Sequence, residues 1–183
     1  MMTYKHLKNV KILFSTPKKF NLFSWIIKKR INSEYSHVAI AVYIQTINFW
    51  DVYEASHGDV HIISMDKFLA QNKVVKAYQL FVPKDNWNKG IIYLKNQLTK
   101  KYSVIGAIAS TISWLRKHKF GDDDDKKFIC SEYASRYIEE TGILNYAYDR
   151  ANNDYITPKQ FERAIKEVAS DISETYTRKS HTN

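Results

Sequence analysis

Apolar positions along this chain change period near its middle, from short β-like runs to helical spacing. The run Val10-Lys11-Ile12-Leu13-Phe14 predicts a first strand, stopped at Thr16-Pro17. Phe20, Phe23, Ile26 and Ile27 then recur at helical spacing, predicting a short amphipathic helix over residues 20–30 whose aromatics pack inward. Residues 36–44 and 49–55 are β-rich and separated by polar positions, the pattern of an antiparallel pair. A third run at 60–63 follows a turn at Gly58-Asp59, and Ser64 is placed to cap a short helix reaching Leu69. Residues 74–82 form a further strand, closed by Pro83.

From Asp85 onward the spacing is helical. Trp87, Ile91, Leu94 and Leu98 mark one helix. Residues 103–116 mark a second, with Gly106, Ala107, Ala109 and Ser110 allowing close packing, and residues 121–125 form an acidic loop to which no function is assigned. A helix over residues 128–141 stops at Gly142. The last begins at Thr157-Pro158-Lys159-Gln160, a capping box with proline in the first turn. Residues beyond about Ser170 lack apolar periodicity. The expectation is therefore one domain over 1–170, with a basic segment at 1–30, and a loose tail over 171–183. The fold class is α+β, with a small, mainly antiparallel sheet packed against helices.

With 183 residues and a 44% apolar share, the chain can bury a substantial core, which excludes a disordered protein. A single cysteine excludes a disulfide-stapled secreted scaffold and fits a reducing compartment. No secretory signal or transmembrane segment is read: residues 10–14 are too short for a signal core, and residues 104–115 too short and too rich in Ser and Thr to span a bilayer. The expected location is cytoplasmic, or associated with a virion or host cell. The net charge of +9 is local. Eight of the 28 Lys and Arg lie in residues 1–30 without an acid, leaving 20 basic against 19 acidic residues elsewhere. That segment is either a solvated lysine-rich edge or a candidate surface for an anionic membrane. No nucleic-acid motif accompanies it.

Cys130 lies in Lys126-Lys127-Phe128-Ile129-Cys130-Ser131-Glu132, at the opening of a predicted helix. The helix dipole and the two lysines favour the thiolate, so the residue is either a reactive group or a small buried hydrophobe. His37 is the candidate base. It shares a strand face with Ala39 and Ala41, which predicts open space in front of the ring, although a packed, non-catalytic histidine also fits. Glu54 in Val52-Tyr53-Glu54-Ala55 is either the group that orients that histidine or an exposed sheet-face carboxylate. His57, Asp59 and His61 alternate, and on a straight strand they would share a face as zinc ligands do, but the Gly58-Asp59 turn breaks that geometry and favours a polar turn. No metal or cofactor is called for.

Taken together, Tyr35-Ser36-His37-Val38-Ala39-Ile40, Tyr53-Glu54-Ala55 before the Gly58 turn, and Cys130-Ser131-Glu132 resemble the circularly permuted NlpC/p60 papain-like thiol hydrolases (YiiX-like proteins). Tyr102-Ser103-Val104-Ile105-Gly106, Thr157-Pro158 and the helix approaching the histidine strand add to the match, which runs from about Val10 to Ala169. Ala39 departs from a frequent glycine, and Asn9-Val10 from a frequent Gly-Asp. The resemblance implies Cys130 as nucleophile, His37 as general base and Glu54 as orienting group. It also implies the Cys130 backbone N–H as oxyanion donor, with Tyr35 and Ser131 as further oxyanion or substrate contacts. The implied reaction is acyl transfer from an amide or ester (a peptide, a cell-wall peptide or an acyl lipid) through a thioester. Two alternatives stand beside it: a catalytically silent binding or structural protein on the same fold, and a basic membrane or nucleic-acid surface adaptor acting through residues 1–30.

Overall fold

A computed structural model of the chain describes residues 7–56, 58–102, 127–143 and 156–177. The strands are β1 (Leu7–Pro17), β2 (His37–Ile44), β3 (Phe49–Ser56), β4 (Asp59–Ser64), β5 (Asn72–Pro83), β6 (Lys101–Tyr102), β7 (Lys127–Phe128) and β8 (Ser170–Asp171). They form one 8-stranded sheet in the order β7-β6-β4-β3-β2-β1-β5-β8. Every pairing is antiparallel except β6 with β7. The helices are α1 (Leu22–Ile31), α2 (Met65–Gln71), α3 (Lys84–Asn96), α4 (Cys130–Glu140) and α5 (Pro158–Ile165), followed by a single turn at Glu174–Thr177. The α+β class and the mainly antiparallel sheet are as expected. The predicted helix over 103–116 and the acidic loop lie outside the described residues.

Both sheet faces are covered, which explains why β2 is continuously apolar from Val38 to Val42. Val38, Ile40 and Val42 join Ile12, Phe14 and Tyr53 in a core beneath α3, α4 and α5. Ala39 and Ala41 face the other way into a second core with Leu13, Val52 and Phe68 of α2. The alanines themselves are buried, with α2 and Phe68 filling the volume above them, while the open space expected in front of the ring lies at His37.

Local chemistry sets several boundaries. Ser64 accepts from the Lys67 N–H and starts α2. Thr157 and Gln160 complete the capping box of α5. From α5, Glu162 accepts from the Tyr35 hydroxyl and, at 2.7 Å, from the Tyr78 hydroxyl, tying the helix to β5 and to the approach to β2.

Two expectations are corrected. Asn21 caps α1 by accepting from Ser24 N–H, so Phe20 falls outside the helix, and the buried side becomes Ser24 and Ile27. Phe20 and Phe23 are exposed rather than packed. The segment after Ser170 is not loose as far as Thr177. Ser170 and Asp171 pair with Gln79 and Tyr78, the Ile172 N–H donates to the Ala77 carbonyl, and Ile172 and Tyr176 pack on the second core. Apolar periodicity missed it because its order comes from strand pairing and two apolar anchors, not a repeated face.

At Gly90, α3 packs tightly against the C-terminal end of α4. A Cβ there would lie 2.6 Å from Tyr137 Cε2 and 2.8 Å from Thr141 Cγ2, and both neighbours are fully buried. Alanine would gain about 1 kcal/mol of helix propensity but meet an overpacking cost of about 1–3 kcal/mol. Gly90→Ala should therefore lower the urea midpoint; an unchanged or higher midpoint would contradict this packing.

Candidate active site

His37, Glu54 and His61 come together because three antiparallel strands hold them in register. Ala39 pairs with Glu54, so His37, two residues earlier on β2, is diagonal to that carboxylate. Glu54 pairs directly with His61, because the connection at positions 57–58 sets Ser56 opposite Asp59. Gly58 supplies the left-handed φ of +104° that this tight turn requires. All three side chains then project from one sheet face.

The contacts form a chain. His37 Nε2 lies 2.6 Å from Glu54 Oε2, and His61 Nε2 lies 3.2 Å from Glu54 Oε1. His61 Nδ1 lies 2.8 Å from Asp59 Oδ1. Glu54 is 1% exposed, a position in which an unpaired carboxylate would be costly. Burial alone would raise its pKa, but hydrogen bonds and charge from His37 and His61 hold it well below the usual carboxylate range. For His37, burial works against the charged ring. Hydrogen bonding with Cys130 and Glu54, and their charge, outweighs burial and pushes the ring up to about 10. His61 is also raised, first through its hydrogen bond to Glu54.

Cys130 is the first residue of α4 and is 3% exposed. Ile129 before it packs on Ile27 of α1. Because Nε2 of His37 is committed to Glu54, Nδ1 is the ring nitrogen left for the cysteine side. A cavity of about 360 Å³ adjoins His37 and Glu54, lined also by Ser36, Ser24, Phe23 and Ile27 among others.

Two expected contacts are placed elsewhere. The single hydroxyl proton of Tyr35 is donated to Glu162 of α5, not toward the cysteine. The Ser131 hydroxyl is donated to the Ile156 carbonyl, which docks the start of α4 against the lead into α5. Both hydroxyls are committed to acceptors within the protein. His61 and Asp59, read as turn residues, instead extend the hydrogen-bond chain behind Glu54. Counting back from a two-residue hairpin connection pairs Glu54 with His61, and that is the signal in the sequence. His57 lies outside the described residues. Among those residues no group of three or more His, Cys, Asp or Glu is arranged to hold a metal ion. The imidazole nitrogens and carboxylate oxygens face one another instead of a common point.

No protein-family model matches the chain, and no curated protein matches it. Among solved structures, it is similar to the metalloprotein yiiX from Escherichia coli O157:H7, with a TM-score of 0.60 and 15% identity, covering 93% of this chain and 97% of that one. At this identity the likeness shows the fold alone, a YiiX-like α+β architecture. No described helix is long and apolar enough to cross a membrane.

The two shifts give opposite pH dependences. With its folded value raised, His37 contributes stability that is full below its ordinary value of 6.5 and is lost as pH rises through about 10. With its folded value depressed, Glu54 contributes stability that is present above 4.5 and is lost as pH falls below it. The His37 ring, followed by NMR, should titrate near 10 and move back toward 6.5 in Glu54→Gln. Titration near 6.5 in the wild type would sink the pairing.

Proposed function

We propose that the protein is a thiol hydrolase or acyltransferase of the permuted papain-like type, with Cys130 as nucleophile, His37 as its proton partner and Glu54 as the orienting carboxylate. The observation that carries this reading is the buried His37–Glu54 pair, closed at 2.6 Å, with the lone cysteine acting on the same ring from a helix N-terminus. The YiiX-like fold is compatible with it, as is the chain order His37, Glu54, Cys130.

The chemistry follows from the proton positions. A ring pushed up to about 10 holds its proton at neutral pH, so His37 rests as the imidazolium, with Glu54 supporting the charge on Nε2. Sγ of Cys130 attacks the carbonyl carbon of an amide or ester. The carbonyl oxygen becomes an oxyanion, which the Cys130 backbone N–H at the start of α4 can stabilise. As the tetrahedral intermediate collapses, the imidazolium gives its proton to the departing amine or alcohol, leaving a thioester on Cys130. Water or another acceptor then loses a proton to His37, attacks the thioester and regenerates the thiolate. The substrate class is an amide or ester, and the acceptor decides between hydrolysis and transfer.

The burial of Cys130, at 3% exposure, favours a second reading: a binding protein that keeps this fold without turnover. Labelling separates the two. With one cysteine in the chain, iodoacetamide reports Cys130 alone. Alkylation at pH 6–7 should outpace a free thiol and should slow about tenfold or more in His37→Ala. A chromogenic acyl ester should leave one acyl group on Cys130, seen by mass spectrometry. Equal labelling of wild type and variant, with no acyl adduct, would support the binding protein.

A further inference from the structure

We propose that the outward face of α1 docks on an anionic lipid bilayer. The helix is held to the body of the protein by its inner side. Ser24 Oγ lies 2.6 Å from Ser36 Oγ, Lys28 Nζ donates to Thr16 at 3.0 Å, and Ile27 packs on Ile129. What this leaves outside is strongly apolar: Phe20 is 82% exposed, Leu22 55% and Trp25 48%. Leu22, Trp25 and Lys29 follow one another at i, i+3 and i+7, so they form a single stripe on the helix surface.

Charge surrounds that stripe. Lys18 and Lys19 precede the helix and Lys29 and Arg30 close it, all four exposed, and the first acid in the chain is Glu34. A polyanion such as nucleic acid would meet the cations but leave Phe20, Leu22 and Trp25 in water. An anionic bilayer accommodates both, with aromatic and aliphatic groups at the headgroup boundary and lysines on the phosphates. The 10 residues of α1 rise about 15 Å, so the helix would lie in the interface instead of crossing a hydrocarbon core of about 30 Å.

Phe23 and Ile27 of the same helix line the cavity that holds His37 and Glu54. Docking would therefore set one wall of that cavity at the lipid surface. The docking itself does not depend on thiol chemistry and is tested without it.

The full-length protein is sedimented with phosphatidylcholine vesicles with and without phosphatidylserine, at low and high salt. Binding is expected only to the anionic vesicles, and it should weaken as salt rises. Phe20→Ser/Leu22→Ser/Trp25→Ser and Lys18→Glu/Lys19→Glu/Lys29→Glu should each weaken it about tenfold or more. Ile92→Ser, an exposed apolar position on α3, should bind as wild type. Thermal melts monitor the fold, and Trp25→Ser alone serves if the triple variant melts early. Absence of wild-type binding would overturn the proposal. So would vesicle binding that survives the serine substitutions and responds only to the charge reversals, which would assign the face to polyanions in general.

Discussion

A carboxylate sealed inside a protein has to be answered by charge and hydrogen bonds from its surroundings, and Glu54 is such a group. Both of its oxygens are taken, one by His37 and one by His61. Those partners come from the strands on either side of β3, so the ionic arrangement exists only when β2, β3 and β4 are in one particular register. A slip of one residue would turn the histidines to the opposite face and leave the charge unanswered. The same register places Val38, Ile40 and Val42 under α4, the helix that carries Cys130. Apolar packing and the polar site therefore specify the same pairing, which is the consistency expected of a well-determined fold.

Much of this architecture was legible in local chemistry. Thr157-Pro158-Lys159-Gln160 states its capping box directly, and the long β-prone runs could be placed to within a few residues. Legibility failed where tertiary partners decide. Phe20 and Phe23 have core-like spacing, yet a single Asn21 cap and a serine–serine hydrogen bond rotate α1 the other way. Tyr35 stands two residues before His37, but its hydroxyl is claimed by a glutamate 127 positions away. No reading of neighbours along the chain could reveal that.

The site divides in the same way. His37 and Glu54 could be singled out as polar residues in apolar strands, and their pairing follows from strand adjacency. His61 required the hairpin register as well, and treating it as part of a turn hid its second role. The environment of the cysteine depends on α4 arriving at the His37 end of β2, a contact between distant segments that periodicity does not encode.

The short pairing of Ser170 and Asp171 with β5 has a consequence for how the molecule behaves in company. β5 is 12 residues long and is joined along its length to β1 on one side. On its other side the described pairing is with β8 at Tyr78 and Gln79. An uncovered strand of that length presents a row of backbone groups to which a strand from another molecule can add. By occupying the middle of that row, a two-residue strand near the C-terminus acts as a gatekeeper against edge-to-edge association, a contribution to colloidal behaviour out of proportion to its size.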